Sequence, residues 1–140
     1  MNLFKEVRTF FSDLRAESPA TNLWGAILNV PQILGGIYFW YRPEAVIVAL
    51  VTIITLIVAS EIHSRDKFSR LIGICHVFWL PLAPIVALWA LDPGEAAGFR
   101  IWAGYVAITM AVSLLFDLRD VYLWRFTANR HYSFLGAGQK

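Results

Sequence analysis

The sequence predicts an all-α fold: an antiparallel four-helix transmembrane bundle preceded by an N-terminal interfacial amphipathic helix. Four apolar stretches carry the prediction, Thr21–Trp40, Pro43–Ser60, Arg70–Leu91 and Phe99–Phe116. About 18–20 apolar residues at 1.5 Å rise span a hydrocarbon core of roughly 30 Å. Composition agrees: 58% of the 140 residues are hydrophobic and the mean hydropathy is +0.57, too apolar for a soluble domain of this size. Charge supplies the orientation. Lys5, Arg8 and Arg15 precede the first stretch, Arg65, Lys67 and Arg70 lie between the second and third, and Arg119, Arg125, Arg130 and Lys140 follow or end the fourth. Only Arg42 and Arg100 fall on the other side. Basic residues are retained in the cytoplasm, so both termini are expected there.

One membrane domain is expected over 1–140. In segment 1–17, Leu3, Phe4, Val7, Phe10, Phe11 and Leu14 recur at helical spacing, with Lys5, Glu6, Arg8, Ser12, Asp13 and Arg15 opposite. That segment is too short and charged to span. It is expected in the inner headgroup layer, Phe side down, or else packed under the bundle. Ser18-Pro19 breaks the chain. A helix at 21–41 follows and ends in Tyr38-Phe39-Trp40-Tyr41, an aromatic cluster suited to the outer interface. Arg42-Pro43 turns into a helix at 43–61, the most uniformly apolar, and a short charged inner loop runs Ile62–Ser69. In the helix at 70–91, Pro81 and Pro84 remove two backbone donors and should kink it. Asp92-Pro93-Gly94 is a turn. The last helix, 99–126, is about 40 Å long and projects beyond the membrane, with Tyr122 and Trp124 at an inner aromatic belt. The cytoplasmic tail, 127–140, is polar and from Asn129 expected to be mobile. Residues 1–20 lack the apolar run of a signal peptide, so insertion is expected to use the first spanning helix. The single cysteine, Cys75, reads as a small packing residue.

At 100° per residue each helix gathers its polar and small residues on one face. The stripes are Asn22, Gly25, Asn29, Gln32 and Gly36; Thr52, Thr55, Ala59 and His63; Ser69, Gly73, His76 and Pro84; and Ala103, Ala107 and Ala111, with Ser113, Asp117 and Asp120 close beside. Small residues let helices approach, and polar side chains bond across the contact. Asn29, Gln32 and the threonines are expected mainly to hold helices together.

His76 and Asp117 stand out, because ionisable groups in a spanning segment cost about 2.5–3.5 kcal/mol on insertion scales. Both fall in the inner half, with Asp120 one turn beyond Asp117. Arg119 points away from Asp117 and is expected to snorkel to phosphates. Three readings stay open. His76 and Asp117 could exchange a proton in a relay. A divalent cation could be held by His76, Asp117, Asp120 and Glu61 or His63. In the third, Asp117 pairs with Arg70 or Arg125 and His76 bonds Asn29 or Gln32. Haem is set aside, since His63 is placed in a loop and His131 in the tail. No nucleophile–base–acid set, Gly-rich phosphate loop or Cys/His cluster is visible, so no enzymatic activity, cofactor or metal is expected. A lipid-modifying enzyme normally carries more than the ten acidic residues present. Topology and anionic lipid account for the basic ends, and no nucleic-acid partner is expected.

Two segments, Ser69-Arg70-Leu71-Ile72-Gly73-Ile74-Cys75-His76-Val77-Phe78-Trp79-Leu80-Pro81-Leu82 and Ser113-Leu114-Leu115-Phe116-Asp117-Leu118-Arg119-Asp120-Val121-Tyr122-Leu123-Trp124-Arg125, resemble a group of small four-helix bacterial inner-membrane proteins of uncharacterised function. Those show a similar third helix and a similar end to the fourth, and an Asn in helix one similar to Asn29. The charged N-terminal helix and Glu61 depart from that pattern. The resemblance implies a bacterial inner membrane and supplies no activity. The expectation is therefore a small polytopic protein with His76, Asp117, Asp120, Asn29 and Gln32 forming a polar site in the inner half. It is read as an oligomeric transport or channel-type protein, since a single four-helix unit leaves little room for an aqueous path. The alternative is a non-enzymatic accessory or scaffold subunit of a larger membrane complex. The bilayer is a partner in both.

Overall fold

Proline and serine set the helix starts. The computed structural model describes residues 3–132, as α1 (Leu3–Glu17), α2 (Pro19–Tyr38), α3 (Pro43–Arg65), a 3₁₀ segment (Arg70–His76), α4 (Trp79–Leu91) and α5 (Ala97–Phe126). Pro19 and Pro43 occupy first-turn positions, where a backbone N–H has no intrahelical use. Ser18 caps α2 by accepting a hydrogen bond from the Thr21 N–H at 3.4 Å. The fold is all-α; among the described residues the extended pairing is one isolated bridge, Ser69 with His131.

α2 and α3 form one helical hairpin through Phe39–Arg42, and α4 and α5 a second through the turn at Asp92. Their shared core is apolar and tight: Val48, Trp79, Val86, Val106 and Met110 are fully buried. The far end, away from the termini of the described chain, is closed by rings. Phe39 packs edge-on to Phe99 at 5.4 Å and beside Trp102 at 5.6 Å. Arg42 lies over the Phe99 ring at 4.4 Å and is ion-paired with Glu95. At the opposite end α1 lays Phe10 and Leu14 on Ala59 and Cys75, while Phe4 stays exposed.

α3 and α5 are each long and apolar enough to cross a membrane. The 3₁₀ segment and α4, bent by 48°, qualify together as a third span. α2 has the length, 20 residues, but not the hydropathy that the sequence reading gave it. Asn22, Asn29 and Gln32 lower it, and the last two are buried rather than turned outward.

The third expected helix is not one kinked α-helix. It breaks at Val77–Phe78, ahead of the prolines. Pro81 in the first turn of α4 has no N–H to bond back to the Val77 carbonyl, which fits a helix start here, although α2 and α4 run unbroken past Pro31 and Pro84. Upstream, the chain winds as 3₁₀ with about 3.0 residues per turn. That change of period dissolves the expected stripe: Ser69 and Gly73 are buried, but Pro84 is exposed. The alanine stripe of the last helix also runs off the contact, from Ala103 buried to Ala111 exposed. Steps of four advance about 40° each. The buried face follows Phe99, Ala103, Val106, Met110 and Ser113 in alternating steps of four and three, and Asp120 lies seven residues, two turns, further on.

The tail expected to be mobile from Asn129 folds back. Arg70 N–H donates to Arg130 O at 2.9 Å, and Tyr132 N–H to Phe68 O at 3.0 Å. Its remainder, 133–140, lies outside the described residues.

Candidate functional site

A column of residues on the 3₁₀ segment meets α5. Three residues per turn places Arg70, Gly73 and His76 on one face, where an α-helix would splay them. Gly73 makes the approach close, since a Cβ there would sit 3.1 Å from the Asp117 Cα and 3.3 Å from its carbonyl oxygen. Arg70 thereby reaches Asp120, and His76 Nδ1 comes to 2.7 Å from Asp117 Oδ2. The His76 ring also lies against Trp79, centroids 4.1 Å apart.

The Arg70–Asp120 ion pair is buried, with both side chains 9% exposed. Tyr132 O–H donates to Asp120 Oδ2 at 2.6 Å, and the Arg70 guanidinium sits 4.8 Å over the Tyr132 ring. Burial first, then the neighbouring Asp120 carboxylate, pushes the Tyr132 phenol up, so it remains a donor. Arg70 Nε also points at Asn129 Oδ1, 3.4 Å away.

Both pairs line a cavity of about 520 Å³ at the α1 end of the molecule, within the range of small-molecule sites. α2 and α5 form its sides, α3 and the 3₁₀ segment its back, and Phe10, Phe11 and Leu14 of α1 its floor. Of the five expected site residues, His76, Asp117, Asp120 and Asn29 line it. Gln32 does not. It is fully buried one turn further along α2, with its side-chain amide 2.6 Å from the Thr52 hydroxyl.

Asn29 Nδ2 donates to Gly25 O at 2.8 Å, which turns its carbonyl oxygen the other way. That Oδ1 and the Thr55 hydroxyl are buried without a hydrogen-bond partner. Thr55 contrasts with its neighbours on α3: Thr52 and Ser60 bond back to the carbonyls of Val48 and Leu56, at 2.8 and 2.7 Å. Gln32 Nε2 and Trp79 Nε1 are likewise buried and unpartnered.

The structural pairing expected from sequence therefore needs correcting. Asp117 pairs with His76, not with Arg70 or Arg125, and Asn29 and Gln32 bond elsewhere. Arg125 instead lies over Phe126. Nor are the residues of the metal reading gathered: Glu61 bonds Arg65, Asp120 bonds Arg70, and His63 bonds Asp13. Among the described residues no group of three His, Cys, Asp or Glu is arranged to hold a metal ion.

His63, placed by the sequence in a loop, is buried inside α3, which continues to Arg65. Its Nδ1 accepts from Phe68 N–H at 3.4 Å, so the ring proton sits on Nε2 and is donated to Asp13 at 3.1 Å. Lys67 Nζ bonds the same carboxylate at 2.8 Å. The Lys67 bond, then the His63 bond, hold the Asp13 carboxyl below its ordinary range. Asp13 thus ties α1 to the end of α3, and sequence reasoning passed over it, as it did Tyr132 and Trp79. Comparison of the chain with family models, curated proteins and solved structures finds no match.

Proposed function

We propose that the chain is a small polytopic inner-membrane protein of the transport type, crossing the bilayer four times with both termini in the cytoplasm. α2 serves as the fourth span because its polar side chains are turned into the protein: Asn29 is 8% exposed and Gln32 fully buried. The Lys/Arg distribution puts the α1 end inside. In this frame the cavity opens in the inner half, and Phe39, Phe99 and Trp102 close the outer half.

One observation carries the reading: a hydrogen-bonded His76–Asp117 pair on the wall of a cavity that is shut on the other side. Intramembrane acid–base pairs mark proton and solute paths. His76 and Asp117 lie within hydrogen-bonding distance, so a proton that reaches one can pass to the other. Movement of solute requires the ring cluster at the outer end to part, in one copy or within an assembly.

The test is proton flux into vesicles reconstituted with the full chain, followed with an enclosed pH dye under an imposed gradient. Flux is expected for the native protein and lost in His76→Ala and Asp117→Asn, both checked for folding in detergent. Equal flux from folded variants and native protein would refute the reading, and loss of a co-purifying partner with flux unaltered would favour the accessory-subunit alternative.

A further inference from the structure

We propose that the cavity takes a single-chain lipid with an anionic head, its acyl chain lodged between α2 and α5 and its head at Arg119. The proposal rests on the cavity being the ligand site of the preceding section, with the α1 end facing the cytoplasm, and adds the chemistry of what it takes.

The mouth faces sideways. Two hydrogen bonds join α2 to α5 among the described residues: Tyr105 O–H to Ile27 O at 2.5 Å, and Trp102 Nε1–H to Pro31 O at 3.0 Å. Inward of these contacts both helices line the cavity. Ala20, Thr21, Phe116 and Arg119 border it and are at the same time exposed on the outer surface. The cytoplasmic side is floored by the apolar face of α1, which Asp13 fastens through His63 and Lys67. A lipid of the inner leaflet therefore meets the opening from the side.

The interior has room for one chain. Gly25 shares the cavity face of α2 with Thr21, Leu28 and Asn29, and a Cβ placed on it would meet nothing within 4 Å. Glycine is the poorest helix former after proline, so this position weakens α2 without relieving any clash. What it does is leave the wall open. Phe11, Leu14, Trp24, Leu28 and Phe116 make the lining apolar. A volume of about 520 Å³ suits one alkyl chain, not the two of a diacyl lipid.

Charge then selects the head. Asp120 is held by Arg70 and Tyr132, and Asp117 by His76, so the carboxylates of the lining are engaged within the protein. Arg119 is the cation left over, with no ion pair or hydrogen bond among the described residues. It stands one turn beyond Phe116 on the rim and about 200° round α5 from Asp117. Its guanidinium offers paired N–H donors that fit a carboxylate or a phosphate. Beside an apolar cavity such a pair is screened less than one in open water. One unmatched positive charge over a single-chain cavity selects a singly charged anion with one tail. A fatty acid anion and a lysophospholipid with a singly charged head share this chemistry.

The experiment uses the full chain in nanodiscs of phosphatidylcholine and stearate carrying two bromines at mid-chain, at a pH where the acid is ionised. Its methyl ester is titrated in parallel, and tryptophan fluorescence is read. A saturable quench by the carboxylate, at least about tenfold tighter than by the ester, is expected. Trp24→Phe should remove most of the quench. Arg119→Gln should lower the carboxylate to the affinity of the ester, and Arg119→Lys should keep most of the preference. Gly25→Leu should fill the cavity and abolish saturable binding while the unfolding midpoint does not fall. Lysophosphatidylglycerol and unlabelled stearate are compared as competitors, and the tighter one identifies the head as phosphate or carboxylate.

Ester binding as tight as the carboxylate, a quench that rises without saturating, a quench that survives Trp24→Phe, a preference retained in Arg119→Gln, or saturable binding in Gly25→Leu would each overturn the proposal. Lysophosphatidylcholine competing as well as lysophosphatidylglycerol would do the same, since its head carries no net charge. Asp117→Asn separates the proposal from the proton reading, since that variant should lose flux while still binding stearate. Native protein that carries protons but fails to bind stearate would sink this proposal and leave the transport reading standing, and stearate binding without flux would do the reverse.

Discussion

Replacing Asp120 by alanine should cost about 3 kcal/mol of fold stability. Asp120 accepts from Arg70 and from the Tyr132 hydroxyl, in a position where the Arg70 side chain is 9% exposed. Removing the carboxylate leaves a guanidinium in place with little water to solvate it. Breaking a buried pair from one side typically costs about 3–5 kcal/mol. Arg70 keeps the Asn129 oxygen at 3.4 Å and the Tyr132 ring at 4.8 Å, so the cost falls at the lower end. That is about two powers of ten in the folding equilibrium, at roughly 1.4 kcal/mol per factor of ten. Replacing the whole network, with Arg70→Met, Asp120→Leu and Tyr132→Phe together, removes both charges and the stranded hydroxyl. The triple variant should lie within about 1 kcal/mol of the native protein, because apolar replacement of a buried pair is often neutral. Both values come from reversible unfolding in mixed micelles, followed by tryptophan fluorescence. A loss below about 1 kcal/mol for Asp120→Ala, or a triple variant as unstable as the single one, would refute the reasoning.

Two further perturbations probe the scaffold around the site. Gly73→Ala puts a methyl 3.1 Å from the Asp117 Cα, a backbone atom that cannot swing aside. The 3₁₀ segment should back away at a cost of about 1–3 kcal/mol, and proton flux should fall as in Asp117→Asn; the unfolding midpoint and the vesicle assay check this. Asp13 has a folded-state pKa below its ordinary value of 3.8, through Lys67 and then His63. A depressed pKa stabilises the docked helix above the unfolded value, and that contribution disappears as pH falls through the lower folded one. A spin label at Ser12 should therefore gain mobility in acid below pH 3.8, and Asp13→Asn should abolish the dependence.

Hydropathy carried much of the helical layout, because Pro43, Pro19 and the Asp92-Pro93-Gly94 turn punctuate the apolar runs plainly. That Asn29, His76, Asp117 and Asp120 lie at one level along the helices was legible too, since rise per residue sets their spacing, and one cavity gathers all four. Partner choice was not. It depends on whether the chain from Arg70 to His76 winds with three or 3.6 residues per turn, which the hydropathy pattern does not state. Tyr132 was out of reach for a different reason: a return of the chain, pinned at Ser69–His131, brings it to Asp120 across a turn that no periodicity signals. Gln32 shares its stripe with Asn29 but belongs to Thr52, because a step of three residues turns it toward α3.

Everything in the functional account depends on how often the chain crosses the bilayer, and labelling with a membrane-impermeant maleimide measures that directly. Cys75 is buried and is first replaced by serine. Single cysteines then stand at Ser12, Asp66 and Thr127, and at Tyr41 and Gly94. The account predicts that the first three react only in inside-out vesicles and the last two only from the outer face of intact cells. Reaction of Asp66→Cys and Gly94→Cys from the same side would contradict it.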